Sequence, residues 1–472
     1  MSNLRAARRV TPSLPVLGAC LLLTAFSGCG GDEVMPTIAR TPPPAAVDLV
    51  IPAQAVTKVR VAGNVVAFLQ EHLVSIFEQG PQRTLAILDR DGRTAHPYTA
   101  PAGWSVVDFA VHPSGRISAV LTTLTEVRIV RLSAAGAILS DQPFLDAESP
   151  ADPFFNYEGG IHNDTALQPA LMRDAARVVA LGESLVLVLR TGRNAVVAYR
   201  LDPDANSAYV RAWRRLVEPG SSIFGKALIS GTFDAFGQLD NHVRIFTDAD
   251  AAGVIAIAVE NDPRFNFTFR AHTEYFGEPL NDTAGVVLTR IASDDGRRLG
   301  STELDTNARS ELHAVRATAS GFMLAGRVFS EARADGTGWN AFTARVGHGG
   351  NLEFYAVLDV DQSDVLFDLA ELSTGGYLAL GATAYVQNPS GASISESAQP
   401  LLIQLNPDGS KLKRLDFAGG ARHNQLRTLA RLNDRWLLGG MTNGPGTHSG
   451  DAQPELIFAD GFLRQPPGLP DD

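Results

Sequence analysis

The chain has 472 residues, 45% of them hydrophobic and 19% charged, which is ordinary for a globular protein and supplies enough apolar material for a large core. Its net charge of −11, with no Lys/Arg-rich stripe, lacks the electrostatic footprint that a phosphate backbone demands, so nucleic acid is not an expected partner. Its two cysteines, Cys20 and Cys29, both sit close to the start of the chain and rule out an internal disulfide framework.

The first element is a leader. Arg5, Arg8 and Arg9 form a basic start, and residues 14–26 are an apolar run too short for a bilayer, which takes about 20 residues. The run ends in Phe26-Ser27-Gly28-Cys29. A positive start, a short apolar centre and small residues before a cut mark a secretory signal over residues 1–28. Cleavage there removes three arginines and no acids, taking the net charge from −11 to −14. Cys20 would leave with the signal, and Cys29 would become the first residue. Residues 29–52, with Gly30-Gly31 and Thr41-Pro42-Pro43-Pro44, have almost no apolar periodicity and read as an extended tether.

Residues 53–465 read as repeats of one unit, and 466–472 as a disordered tail. The unit is clearest at 401–443. An alternating strand places Leu401, Ile403 and Leu405 on one face, and the turn Asn406-Pro407-Asp408-Gly409 follows. A more polar strand comes next, then a loop, then two strands ending in Trp436-Leu437-Leu438. Four strands in roughly forty residues is the size of a β-propeller blade. Each blade has two halves. The half with an apolar strand and a tight Asp/Asn/Gly turn recurs from 85, 129, 196, 286, 342, 401 and 456. The other half, two strands around a polar or Gly turn, recurs at 59–68, 109–121, 178–188, 245–259, 315–326, 369–381 and 429–440. Seven of each predict an all-β chain folded as a β-propeller of seven four-stranded blades. The chain starts with one half and ends with the other, so N- and C-terminal strands would share a blade and leave no open sheet edge. An eight-bladed ring is the alternative, because the interval between the third and fourth turns is long and holds Phe265, Phe267 and Phe269 in strict period-two alternation. Helical periodicity is confined to 166–176.

Two resemblances add to this reading. Ser27-Gly28-Cys29 is similar to the bacterial lipoprotein signal, with Phe26 where that motif usually has Leu. The resemblance implies lipidation of Cys29 and a membrane anchor, and Gly30 after it is compatible with the outer membrane of a Gram-negative envelope. The repeats, best at 401–443 and at 342–383 with Thr374-Gly375-Gly376-Tyr377-Leu378-Ala379-Leu380-Gly381, resemble bacterial extracellular propeller repeats of the SBBP type. That family implies a fold and a cell-surface or periplasmic setting, but no single activity.

No GxSxG, HExxH, P-loop or GxGxxG signature is present. Weaker constellations lie in loops. His162 and Asp164 in one interval, and Asp240 and His242 in another, could converge at one end of a ring to hold Ca or Zn or to act as an acid/base pair. The plainer reading is that such turn residues satisfy backbone groups. Asp202-Pro203-Asp204, Asp359-Val360-Asp361 and Asp248-Ala249-Asp250 have alternating oxygen ligands but lack the Gly and Glu of a calcium loop, and read as capped turns. Phe154, Phe155 and Tyr157, with Phe265, Phe267 and Phe269, are a candidate partner-binding set. The expected function is therefore a lipid-anchored binding or scaffolding module that meets an envelope protein or an extracellular ligand. The alternative is a propeller enzyme, a metal-dependent hydrolase or quinone-type dehydrogenase, with its site at the channel mouth.

Overall fold

A computed structural model describes residues 47–471 apart from 53, 72–82, 90, 124–125, 145–175, 191–195, 219–242, 262–285, 305–309, 330–338, 362, 384–397, 418–423 and 444–458. The described residues form seven antiparallel sheets of four strands each. The outermost strand of the last sheet is β1 (Asp48–Ile51). The first blade holds β2 (Ala55–Ala62), β3 (Val65–Glu71), β4 (Arg83–Leu88) and β5 (Ala95–Tyr98). The second holds β6 (Ser105–Val111), β7 (Ile117–Thr122), β8 (Val127–Leu132) and β9 (Ile138–Pro143). The third holds β10 (Ala176–Leu181), β11 (Ser184–Arg190), β12 (Val196–Pro203) and β13 (Tyr209–Glu218). The fourth holds β14 (Val243–Ala249), β15 (Val254–Asn261), β16 (Val286–Ala292) and β17 (Arg298–Leu304). The fifth holds β18 (Ser310–Thr318), β19 (Gly321–Phe329), β20 (Trp339–Gly347) and β21 (Leu352–Leu358). The sixth holds β22 (Val365–Glu371), β23 (Tyr377–Thr383), β24 (Gln399–Leu405) and β25 (Lys411–Arg414). The seventh runs β26 (Asn424–Leu432), β27 (Arg435–Asn443), β28 (Ala459–Arg464), and then β1.

The protein is thus a seven-bladed β-propeller, and the eight-bladed alternative falls. The long interval that suggested an extra blade holds β14 and β15, the inner half of the fourth blade itself. Phe265, Phe267 and Phe269 lie outside the described residues, as do 166–175 of the segment with helical periodicity, while Ala176 begins β10.

Ring closure uses both termini, as the repeat count predicts, but the N-terminal contribution starts earlier than the repeats suggest. β1 lies in the stretch read as tether and pairs antiparallel with β28, from Asp48 opposite Arg464 to Ile51 opposite Gly461. Gln465 N donates to Val47 O at 3.0 Å, and Val47 N donates to the Gln465 side chain at 3.1 Å. The last residues, read as a disordered tail, also pack on the ring. Leu469 is buried among the apolar side chains of the last two blades. Trp436 Nε1 donates to Pro470 O at 2.7 Å, and Asp471 accepts from Ser373 N and Oγ. An apolar Leu and two open carboxylate oxygens were enough to hold a Pro/Gly-rich stretch in place.

The core is not a single mass. Seven apolar clusters lie one between each pair of neighbouring blades, including one that joins the seventh to the first through Val56, Phe68, Leu437 and Leu463. Middle strands are therefore covered on both faces, and β7 and β23 are buried at every residue. This is why they read as continuous apolar runs rather than alternating ones. Outer strands meet solvent, and β25 is exposed throughout.

The tight turns behave as their sequences require. Gly409 N donates to Asn406 O at 2.9 Å, and Gly409 has φ +77, the left-handed value that lacks a penalty only for Gly. A second glycine feature explains why apolar strands of the repeat end in Gly. In the fifth, sixth and seventh blades the inner strand carries a bulge, between Leu312 and Ala314, Leu366 and Asp368, and Leu426 and Thr428. The neighbouring strand has Gly326, Gly381 or Gly440 beside it. A Cβ on Gly381 would sit 1.8 Å from Val365 O, and one on Gly440 2.0 Å from Gln425 O. Gly381→Ala should cost about 1–3 kcal/mol through this clash, read as a lower denaturant midpoint; an unchanged midpoint would refute the close approach.

Candidate functional site: the central channel

The first strand of every blade faces the ring axis, and these seven strands contact one another in cyclic order. Each presents polar residues in an otherwise apolar segment: Lys58 and Arg60 on β2, Asp108 on β6, Arg177 on β10, Asp248 on β14, Arg316 on β18, Asp368 on β22 and Thr428 on β26. Bulges make this lining dense. The inner strands shift register around Thr57, Val107, His313, Phe367 and Arg427, so each of these and the residue after it both reach the channel wall.

Three carboxylates work alike. Each accepts from the next residue's own amide and from an amide of the following blade. Asp108 accepts Phe109 N at 2.9 Å and Val178 N at 3.0 Å. Asp248 accepts Ala249 N at 3.0 Å and Ala317 N at 2.9 Å. Asp368 accepts Leu369 N at 3.0 Å and Leu429 N at 3.1 Å. They join the second blade to the third, the fourth to the fifth and the sixth to the seventh. The other joints use different groups. Thr428 Oγ1 accepts Val59 N at 3.0 Å and so ties the seventh blade to the first. Lys58 pairs with Asp108, and Arg316 grips Asp368 with both Nε and Nη2, at 2.7 and 2.5 Å. The Arg177 guanidinium lies 5.8 Å from the Phe246 ring centroid, between the third and fourth blades.

The charges shift one another. Burial opposes ionisation of Asp108, but Lys58 and Arg177 outweigh it and hold its carboxyl below the ordinary value. Burial drives the Lys58 ammonium down to about 7, with Asp108 partly opposing. Arg60 is pushed down to about 10 by burial and then by Arg316. Burial likewise takes His313 down to about 4, although Glu311 lies 3.7 Å away and favours the proton. His313 packs edge-on against Phe367, and the Arg427 guanidinium lies 3.8 Å from the same ring centroid. Behind His313 stand two balanced buried pairs, Arg244 with Glu260 and Arg327 with Glu311. A cavity of about 160 Å³ remains inside this lining.

A second polar cluster imitates a catalytic pair but is closed. His112 Nε2 lies 2.8 Å from Ser118 Oγ, and Ser118 Oγ lies 2.7 Å from Tyr209 Oη. His112 Nδ1 is 2.8 Å from Gly182 O, so Nδ1 carries the proton and Nε2 accepts. Ser118 and His112 are 0% exposed, which leaves no route for a substrate. The triangle joins the second blade to the third.

Of the residues singled out from sequence, Cys29, Phe154, Phe155, Tyr157, His162, Asp164, Asp240, His242, Phe265, Phe267 and Phe269 lie outside the described residues. The topology still relates their intervals. On one end of the ring no connection exceeds six residues. Every longer interval leaves and rejoins the ring at the other end, including 144–175, 219–242 and 262–285, which carry all of these residues except Cys29. The three Asp motifs read as capped turns include no described metal cluster. Asp204 accepts Asn206 N and Ala208 N across its turn, and Asp364 accepts Val360 N and Asp361 N. Asp248 is the exception in kind, since it is a joint between blades rather than a turn cap. The channel lining itself was missed from sequence. The available signal was charged residues set between apolar ones in the inner strands, as in Val-Arg-Val at 59–61 or Phe-Asp-Leu at 367–369.

Solved structures with some likeness include several propellers. The WD40 propeller domain of Doa1 matches at 9% identity and TM-score 0.42, over 89% of this chain and 97% of that one. YCF48 bound to D1 peptide matches at 9% and 0.44, over 90% and 97%. The propeller domain of the Trilobed protease from Pyrococcus furiosus matches at 9% and 0.42, over 83% and 91%. No family model matches the chain, and no curated protein matches it. The propeller assignment rests on the strand order alone.

Two outcomes follow from the channel. Asp368→Asn leaves the Arg316 charge without its partner and should destabilise the fold by about 3–5 kcal/mol, measured by chemical unfolding; a loss near zero would refute the latch. His313 is harder to protonate folded than unfolded, so stability is full above its ordinary value of 6.5 and declines as pH falls toward about 4. His112, lowered in the same direction by burial, contributes to the same decline. In thermal melts, His313→Gln should shallow that decline, and a variant with the parent's pH profile would show that His313 is not buried neutral.

Proposed function

We propose that this protein is a lipid-anchored binding or scaffolding propeller of the bacterial cell envelope, held by Cys29, which engages an envelope protein or extracellular ligand at one end of its ring. The observation that carries the reading is the unequal length of the connections. One end has only tight turns, while all intervals longer than six residues belong to the other. A rigid ring with long segments collected at one end is the usual arrangement of a recognition surface on a scaffold. The apolar and aromatic residues of 144–175 and 262–285 supply the kind of side chains that bury well against a partner. The anchor reading is supported by the leader and by Ser27-Gly28-Cys29, and the outer-membrane assignment by Gly30.

Cys29→Ser should move the protein from the detergent phase to the aqueous phase in Triton X-114 partitioning. A variant that still partitions with detergent would remove the anchor from this reading. Partner binding is tested separately by cross-linking in intact cells: shortening 262–285 should abolish the cross-linked species, and shortening 89–94 at the opposite end should not.

A further inference from the structure

The channel cavity differs in charge from the chain around it. The chain is acidic, at −11. The cavity wall holds six cationic side chains, Lys58, Arg60, Arg83, Arg177, Arg316 and Arg427, against the carboxylates of Asp108 and Asp368. Two more carboxylates reduce the excess without removing it. Glu71 pairs with Arg83 at 3.3 Å, and Asp248 is near enough to act on Arg60. The two ion pairs behind His313 are balanced and leave the sum unchanged. Among the described residues the wall therefore keeps a net positive charge in a semi-enclosed space, where the field of each charge is stronger than in open water.

Arg60 is one of these cations, and Asp248, Asp368 and Asp108 all act in favour of its charge. Its Nη1 donates to Val59 O, a neutral carbonyl of its own strand, at 3.1 Å. Burial and the Arg316 charge both act against its proton. A guanidinium does not leave its charged form under these conditions, so the site instead favours an anion. Arg177 and Arg427 lie over aromatic rings, Phe246 and Phe367, and each also donates one hydrogen bond, to Ala176 O at 2.9 Å and to the Gln425 side chain at 2.6 Å, which fixes them at the wall with other donors remaining. Planar guanidiniums in fixed positions suit oxygen pairs, which they bind by charge-assisted, often bidentate hydrogen bonds. The size limits the guest. A water occupies about 30 Å³ of the liquid, so a cavity of about 160 Å³ has room for a small anion of a few heavy atoms.

We propose that the central cavity is a binding site for a small oxyanion, a carboxylate or a phosphate, taken up by Arg60, Arg177 and Arg427. The site is part of the ring itself and does not depend on the lipid anchor or on a protein partner. Lys58 would report on its occupation. Its ammonium faces Asp108, Arg60 and Arg177 and sits near about 7; an anion in the cavity favours its protonation, so binding at slightly alkaline pH draws in a proton.

The test is isothermal calorimetry of the purified full chain in low salt, with phosphate in one arm and succinate in the other, and sodium chloride as the control. Binding of either anion, with no heat from chloride, supports the site, and the arm that responds identifies the anion. The double variant Arg60→Gln with Arg427→Gln should bind at least about tenfold more weakly, whereas Lys413→Gln on exposed β25 should bind like the parent. The proposal is overturned if neither anion binds the parent below about 10 mM, or if a folded double variant binds as the parent does. Should the double variant fail to fold, Arg60→Gln alone decides: a folded single variant that binds as the parent does overturns the proposal.

Discussion

The structure depends on carboxylates that bridge from one sheet to the next. In a propeller the hydrogen-bond ladder stops at each blade, so the innermost strand has one edge with no neighbour in its own sheet. Its amides are buried, and a buried amide without a partner costs about as much as a lost hydrogen bond. Asp108, Asp248 and Asp368 meet those amides across three of the joints, and Thr428 does so across the joint that closes the ring. Each of the three carboxylates accepts a pair of backbone donors, and hydrogen bonds to a charged group are worth about 1.5–3 kcal/mol. Apolar contact between the blades has no direction, and other polar links, such as His112 with Ser118 and Tyr209 or Glu260 with the Leu312 amide, add to the carboxylates. The carboxylates supply the register that the apolar wedges lack.

That solution has consequences for the channel. Buried carboxylates need countercharge, and Lys58 and Arg316 provide it from the neighbouring blades. The inner strands also bulge, which brings two successive residues to the axis instead of one. The bulge presses a carbonyl toward the second strand of the blade, and in three blades a glycine there makes the room. A latch, a countercharge, a bulge and a glycine come together in the sixth blade, as Asp368, Arg316, the bulge after Leu366 and Gly381, and other blades carry some of these parts. The surplus of positive charge in the cavity arises because the cations outnumber the latching acids.

Much of the architecture was legible before any coordinates. Turns such as Asn406-Pro407-Asp408-Gly409 carry their conformation in their own residues, and apolar runs such as 377–380 announce strands covered on both faces. The blade count followed from repetition, although 286 and its predecessor are separated by an interval long enough to suggest another blade. The terminal strand β1 was not legible. Four residues are too few to show periodicity, and its partner is far away, with Val47 bonded to a residue 418 positions on. The final residues were misread for a related reason: Leu469 and Asp471 gain their contacts only from blades six and seven. The channel residues were in plain view as isolated charges within apolar strands, but an isolated charge in a strand is as readily assigned to a solvent face.

The sequence by itself determined the class of fold, the number of repeats and the sharing of one blade by the two ends, because these depend on local turn chemistry, on composition and on periodicity. Only the tertiary structure decided which charges face one another. Lys58 and Asp108, or Arg316 and Asp368, lie about fifty residues apart on different blades, and no local rule relates them. Closure of the ring brings them to one axis, where burial turns scattered charges into latches and leaves a positive cavity between them.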